Sequence, residues 1–400
     1  MAVPRRVHVK GPLAPYAAGF EEVLARQGYR SATDHLYVMA QLSRWLLIEQ
    51  LETADLTATG LEDFARWRST GGYISPTSSY RVSRLVDYLV NSGVIARSGP
   101  VVPRTPAEVL IERYRCYLVE QRSMVAQSVR VYIDVARAFL LSPAAEGELG
   151  LQALTTAEVT RFVLAECQRC KVASAKAMTT RLRSLLRFLY VEGLTTNPLA
   201  GAVPSVASWR LASLPRALPA AQLVSLLKSC DRRKAVGRRD FAVMVLLSRL
   251  GLRAGEVAGL QLGDLDWRAG EVVVRGKGGR TDRLPLPVDV GEAVAAWLQR
   301  GRPRSECLSV FVRVRAPHGA MSSGGISTIV RRASERAGLA PAGAHRLRHS
   351  AATDMLRAGG SLDEVGQVLR HRRRETTSIY AKVDRRSLSA VVRPWPGARP

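Results

Sequence analysis

The chain is short of acid. Its 400 residues hold 34 Asp plus Glu against 59 Lys plus Arg, a formal net charge of +25. A folded chain so basic is expected to meet a polyanion, because the surplus charge repels itself and attracts phosphate. The basic residues run through amphipathic segments and are not gathered in one tail. Long apolar runs are also lacking: Phe241–Leu247 falls far below the ~20 residues of a membrane span and reads as a buried helix. The opening MAVPRRVHVKGPLAPY has no apolar core of signal-peptide length. Cysteine is scarce and odd in number, five in all, which fits reduced thiols in the cytoplasm. Cys167 and Cys170 form a CxxC with no second pair. HRLRH is not the HExxH of a zinc protease, and Lys277 in GKGGR lacks the Ser or Thr of a phosphate-binding nucleotide loop. No metal and no cofactor are expected.

What is there is helical periodicity. With 46% hydrophobic residues the chain can bury several cores, and 23% charged residues is an ordinary share. Residues 1–13 read as a flexible basic arm. Residues 14–97 then carry apolar side chains at helical spacing, as in Leu36, Met39, Leu42 and Leu46. Residues 104–197 run through a similar series. Leu56-Thr57 with Phe64 recurs as Leu154-Thr155 with Phe162. Arg81, Leu85, Leu89 and Gly93 recur as Arg181, Leu185, Leu189 and Gly193. Trp45-Leu46 has its counterpart in Phe139-Leu140. The pattern suggests one small helical domain present twice. The second copy carries Lys176, Arg181, Arg183 and Arg187 on its last helix, a face suited to phosphates. Residues 198–218, with Pro198, Pro204 and Pro215, read as an extended linker.

A third domain is expected over 219–383. It opens with helices. Asp240 starts an apolar one that stops at Gly251, with Arg253 and Glu256 just beyond. Glu271–Arg275 and Arg283–Leu286 form a hairpin around Gly276-Lys277-Gly278-Gly279, and Ser309–Val312 is a candidate third strand. Asp264 and Asp266 read as turn residues. A basic helix bearing Arg331 and Arg332 follows. Then His345 to Tyr380 places His345 and Arg348 on one helix face, and Gly359-Gly360 end that helix. Ser361 and Glu364 cap the next, His371 follows it, and Tyr380 lies nine residues further on. His349 reads as a packing or capping residue, and Arg370 with Arg372–Arg374 as charge close to a bound polyanion. Residues 384–400 read as a short helix and tail.

Taken together these motifs resemble the tyrosine recombinase (phage integrase) family. The carriers are VMVLLSRLGLRAGEVAGLQLGDLDW, VRGKGGRTDRLPLP, HRLRHSAATDMLRAGG and VLRHRRRETTSIYAKVD, in family order across about 220–383. Arg370 departs from the pattern, which most often has glycine there. The resemblance implies a mainly α fold with a small β-sheet: two SAM-like helical DNA-binding domains followed by a mixed α/β catalytic domain. It implies that Tyr380 attacks a DNA phosphodiester and forms a 3′-phosphotyrosine, without metal or ATP. Arg253 and Arg348 would hold the non-bridging oxygens, with Glu256 supporting Arg253. His345 and His371 would complete the pocket, and Lys277 would protonate the leaving oxygen. It further implies a homotetramer on double-stranded DNA carrying specific recombination sites, with a tail that docks on a neighbour. The duplicated N-terminal domain and the arginine-rich tract suggest a mobile-element integrase or transposase, expected in the cytoplasm and associated with the nucleoid. A type IB-like topoisomerase and a DNA-binding protein without catalysis are the alternatives.

Chemistry supports these roles. Charge gathers on phosphate oxygens during attack, where guanidinium forks meet it bidentately. A phenol of pKa ~10 needs a base or a positive field to react near neutrality. Histidine can carry that proton.

Overall fold

The computed structural model describes residues 7–71, 78–95, 105–142, 150–170, 172–206, 217–276, 280–371 and 374–383. The fold is mainly α with one small sheet, and the chain divides into two compact units: 1–97 with 213–400, and 98–212.

The 98–212 unit is built on α5 (Pro106–Cys116), α6 (Ala126–Leu140), α7 (Thr156–Gln168) and α8 (Val172–Val191). Their apolar stripes close on one core, with Tyr114, Phe139, Leu182, Leu185 and Leu189 fully buried. Thr105 and Thr155 each start a helix by accepting the N–H three residues on, while Glu108 and Glu158 reach back to the cap N–H. These reciprocal bonds satisfy donors that a helix start leaves orphaned. The expected linker does not begin at 198. Leu199–Ala202 form a 3-10 turn, and Leu199 and Val203 are buried in the same core. Two apolar side chains in five residues outweigh the extended preference of the prolines.

In the other unit, the N-terminal segment folds as α1 (Ala17–Arg26), α2 (Thr33–Ile48), α3 (Ala58–Thr70) and α4 (Ser78–Asn91). The residues paired by the sequence repeat occupy matching places. Leu85 and Leu89 are fully buried, as are Leu185 and Leu189. Gly93 and Gly193 both end their helices with φ near +70°, the left-handed turn that glycine adopts without strain. Trp45 meets Phe64 at 5.8 Å and Phe139 meets Phe162 at 5.0 Å. Residues 7–13 are not a loose arm: Leu13 is fully buried, its N–H donates to Ser43 Oγ, and Val7 and Val9 pack on the same core. This segment meets the C-terminal one where the His318 N–H donates to Gln27 O at 3.0 Å.

The C-terminal segment is organised around α10 (Ala235–Arg249), which starts one turn before Asp240. Ala242 to Leu247 are all buried, as an apolar run with no polar face requires. Around it pack α9 (Ala220–Lys228), α11 (Ala254–Gly259), α12 (Val288–Arg300), α13 (Ser323–Arg336) and α14 (Ala344–Arg357). Asp240 is buried and bound by Arg239 at 2.7 Å. The sheet runs β1 (Leu265–Asp266), β2 (Glu271–Arg275), β3 (Thr281–Pro285), all antiparallel, with Val272 opposite Leu284 and Arg275 opposite Thr281. Alternation puts Val272 and Val274 in the core. The third strand is therefore Leu265–Asp266 and not Ser309–Val312. The latter makes only isolated bridges, from Ser309 to Gln261 and Val312 to Ala320. The chain finishes with α15 (Leu362–Val368), α16 (Arg374–Thr377) and a 3-10 helix Ser378–Val383. The helix and tail expected over 384–400 lie outside the described residues.

Candidate active site

Two left-handed turns set the site. The first is Gly251, φ +60°, which ends α10. A Cβ there would lie 2.4 Å from Leu369 Cδ2, so any other residue would strain the turn and have to push Leu369 aside. Two residues on, Arg253 is the N-cap of α11. Glu256 folds back onto it, accepting from the Arg253 backbone N–H at 2.8 Å and from Arg253 Nη1 at 2.6 Å. The second turn is Arg370, φ +55°, after α15. Non-glycine residues pay for this conformation, and here it turns the side chain inward. The Arg370 guanidinium is buried and donates to Glu256 Oε2 at 2.7 Å, with Asp282 of β3 4.0 Å away. Arg370 thus supports Glu256 from within the protein, where the sequence suggested charge facing a bound polyanion.

Arg348, on α14, stitches the two turns together. It is 1% exposed, and its two terminal nitrogens donate to Gly251 O and Leu369 O. One buried guanidinium therefore fixes both the turn before Arg253 and the turn before His371. Burial, then the charge of Arg253, brings the Arg348 pKa down to about 10, so it stays charged at neutral pH. Burial pushes the Glu256 carboxyl up, but the Arg253 N–H and the charges of Arg370 and Arg253 outweigh it and hold it below the usual range. The result is a pocket of concentrated positive charge suited to a phosphate.

His345, His371 and Tyr380 gather at the same place. His345 opens α14, and its ring meets His349 edge-on, 4.6 Å between centroids. His371 hydrogen-bonds through Nδ1 to Thr377 Oγ1 at 2.7 Å. Tyr380, on the last 3-10 helix, is 2% exposed among Ala352, Leu356, Val365 and Leu369. Burial raises its pKa and Arg348 opposes that rise, so the phenol is protonated. Its hydroxyl lies 2.7 Å from His349 Nδ1. Burial, His345 and Arg348 bring the His349 pKa down to about 4. Burial, Arg348 and Arg253 lead the same effect on His371, also to about 4. Burial, Arg348 and Arg253 lower His345. Lys277 lies outside the described residues. The β2–β3 hairpin is closed by the Gly276 N–H donating to Arg280 O at 2.7 Å.

Of the basic residues expected to hold DNA, Lys176 and Arg187 are exposed on α8, and Arg331 and Arg332 are exposed on α13. Arg181 and Arg183 are half-buried. Arg183 donates to Val203 O at 2.9 Å and tethers the 3-10 turn that follows α8. The sequence misjudged the place of Arg370, and it missed that His349, a packing residue of α14 as expected, also reaches the Tyr380 hydroxyl. The four-residue spacing of His345 and His349 was the available signal for His349. For Arg370, the glycine usual at that position marks a left-handed turn.

Residues 216–386 match the model of the phage integrase family. Over 394 residues, 97% of this chain and 96% of the relative, the sequence is 39% identical to a putative integrase/recombinase, y4rA, of Sinorhizobium fredii. It is 31% identical over 308 residues to tyrosine recombinase XerD of Mycobacterium tuberculosis, covering 72% of this chain and 97% of that one. The fold resembles the XerH site-specific recombinase bound to a palindromic difH substrate, with TM-score 0.59, 18% identity, and 73% and 97% of the two chains covered. It also resembles a lambda integrase dimer bound to a core site, with TM-score 0.56, 18% identity, and 82% and 91% covered. The chain belongs to the phage integrase family, the tyrosine recombinases, enzymes that break and rejoin DNA strands.

Proposed function

We propose that this chain is a site-specific recombinase in which Tyr380 attacks a DNA phosphodiester and holds the 3′ end as a phosphotyrosine. The observation that carries this reading is convergence. Arg253, Arg348 and Tyr380 come from a helix N-cap, a buried helix and a terminal 3-10 helix, and meet in one charged pocket. The two guanidiniums bind the non-bridging oxygens and stabilise the charge that grows on them in the transition state. Glu256 orients Arg253. His345 and His371 line the phosphate. Lys277 protonates the leaving 5′ oxygen. The phosphotyrosine conserves the bond energy, so rejoining needs no nucleotide.

The partner is double-stranded DNA with specific recombination sites, bound by Lys176, Arg181, Arg183 and Arg187 of α8 and by Arg331 and Arg332 of α13. Segments 14–97 and 104–197 act as two related DNA-binding domains ahead of a catalytic domain at 219–383. Four protomers exchange strands on two sites, in the cytoplasm, in the service of a mobile element. Binding rests on many phosphates, so affinity falls steeply as salt rises. The test is incubation with a supercoiled plasmid bearing two sites. Recombinant product that disappears in Tyr380→Phe supports the reading. Relaxation without recombinants indicates a topoisomerase, and binding without either indicates a protein that has lost catalysis.

A further inference from the structure

We propose that His349 is a further catalytic residue, whose Nδ1 takes the phenolic proton of Tyr380 as the phenol attacks and returns it when the strand is rejoined. This rests on Tyr380 being the nucleophile. The Tyr380 hydroxyl has one hydrogen-bond partner in reach among the described residues, His349 Nδ1 at 2.7 Å. The rings meet at 5.5 Å and 60°, an arrangement that points the ring nitrogen at the oxygen. The two other histidines are differently engaged. His371 Nδ1 is bound to Thr377 Oγ1, and its ring stands parallel to that of Tyr380 with 6.4 Å between centroids. His345 packs against the His349 ring.

The proton bookkeeping closes. In cleavage Oη bonds to phosphorus as the bond from phosphorus to the 5′ oxygen breaks. The phenolic proton moves to Nδ1, and the 5′ oxygen takes a proton from the ammonium of Lys277. In rejoining the 5′ hydroxyl attacks phosphorus and returns its proton to the amine of Lys277, the bond from Oη to phosphorus breaks, and Nδ1 gives its proton back to Oη. Acceptance requires neutral His349, and its surroundings keep it so. Burial comes first, and His345 and Arg348 on its own helix further disfavour a positive charge on its ring; His371, whose ring stands parallel to that of Tyr380, is itself held neutral. The phenol opposite is protonated. A DNA phosphate entering among Arg253, Arg348 and His345 reverses the balance. Its negative charge stabilises an imidazolium, so His349 becomes a competent base when substrate is present.

The test uses the full chain and a nicked duplex substrate that traps the covalent adduct, in single turnover, for wild type, H349Q, H349A and Y380F. H349Q keeps a hydrogen-bonding side chain but cannot take the proton. The expected result is a cleavage rate about a hundredfold lower, with DNA affinity unchanged. The acidic limb of the wild-type pH profile disappears in H349Q, and added imidazole restores part of the rate to H349A. An H349Q rate within about threefold of wild type with the same pH profile overturns the proposal. So does a slowed H349Q that keeps the acidic limb while H349A ignores imidazole, since that is a structural role. Adduct persisting in Y380F overturns the assignment of the nucleophile, and this proposal with it. Loss in Y380F alone, with H349Q unaffected, removes only the role of His349.

Discussion

Replacing Glu256 by Gln removes the charge on which two guanidiniums converge. The carboxylate accepts three hydrogen bonds: from the Arg253 N–H, Arg253 Nη1 and Arg370 Nη2. Glutamine has nearly the same shape but only one acceptor oxygen, and it presents an NH2 to a second donor. Arg253 is partly exposed and regains water. Arg370 does not: its side chain is 5% exposed, and its Nε and Nη1 already lack hydrogen-bond partners. Breaking one side of a buried ion pair costs about 3–5 kcal/mol. Asp282, 4.0 Å from Arg370 Nε, offsets part of that loss and places the expectation at the low end, about 3 kcal/mol. Thermal unfolding of the full chain should show the transition that includes this site fall by about 6–12 °C.

Two further features belong to this mechanism. Glu256 has a folded pKa below its unfolded value near ~4.3. Its stabilisation is therefore complete above the unfolded value and is lost as pH falls through the folded one. The gap between wild type and E256Q should be full at pH 7 and shrink at the acid end. Substituting Arg370 by Met as well should recover stability relative to E256Q alone, because replacing both members of a buried pair is often close to neutral. A loss under about 1 kcal/mol, a gap independent of pH, or a double mutant weaker than E256Q would refute the reasoning.

Gly251→Ala forces a side chain into a left-handed turn and against Leu369. It should destabilise by about 2 kcal/mol or more and displace the carbonyl that Arg348 binds, lowering cleavage at least about tenfold; a fully active variant would contradict the stitching role of Arg348. In NMR titrations of the free protein, the ring signals of His349 and His371 should stay those of neutral imidazole down to about pH 5, given pKa values near 4. Because these values lie below the unfolded ~6.5, the folded protein binds fewer protons than the unfolded one between them, and stability drops as pH falls through that window. Midpoints near 6.5 for both would contradict the buried, positively flanked setting.

Much of this was legible in the chain because local rules act over a few residues. Thr57, Thr155 and Ser361 begin helices because a hydroxyl meets the N–H three residues on. Gly93 and Gly193 end them because the turn requires positive φ. Arg253, Glu256, His345, Arg348, His371 and Tyr380 were each singled out, and their convergence depended on their family-like order. The misreadings share a cause: each depends on a distant partner. Residues 7–13 looked loose until Ser43 supplied an acceptor thirty residues away. Ser309–Val312 looked like a strand, yet it is buried beside Trp297, whose indole N–H donates to Val310 O. Arg370 carries a charge that pattern places outside, while φ +55° and Glu256, more than a hundred residues earlier, draw it in. His349 was set aside because nothing local to its helix indicates that Tyr380 returns to it.

The central claim is that Tyr380 becomes covalently joined to DNA, and its most direct test is to find the bond. A site-bearing duplex with a nick near the cleavage point is incubated with the protein, denatured and digested, and the nucleotide-linked peptide is sequenced by mass spectrometry. The account predicts a 3′-phosphoryl nucleotide on Tyr380, absent in Tyr380→Phe. A linkage on any other residue, or to a 5′ phosphate, would contradict it.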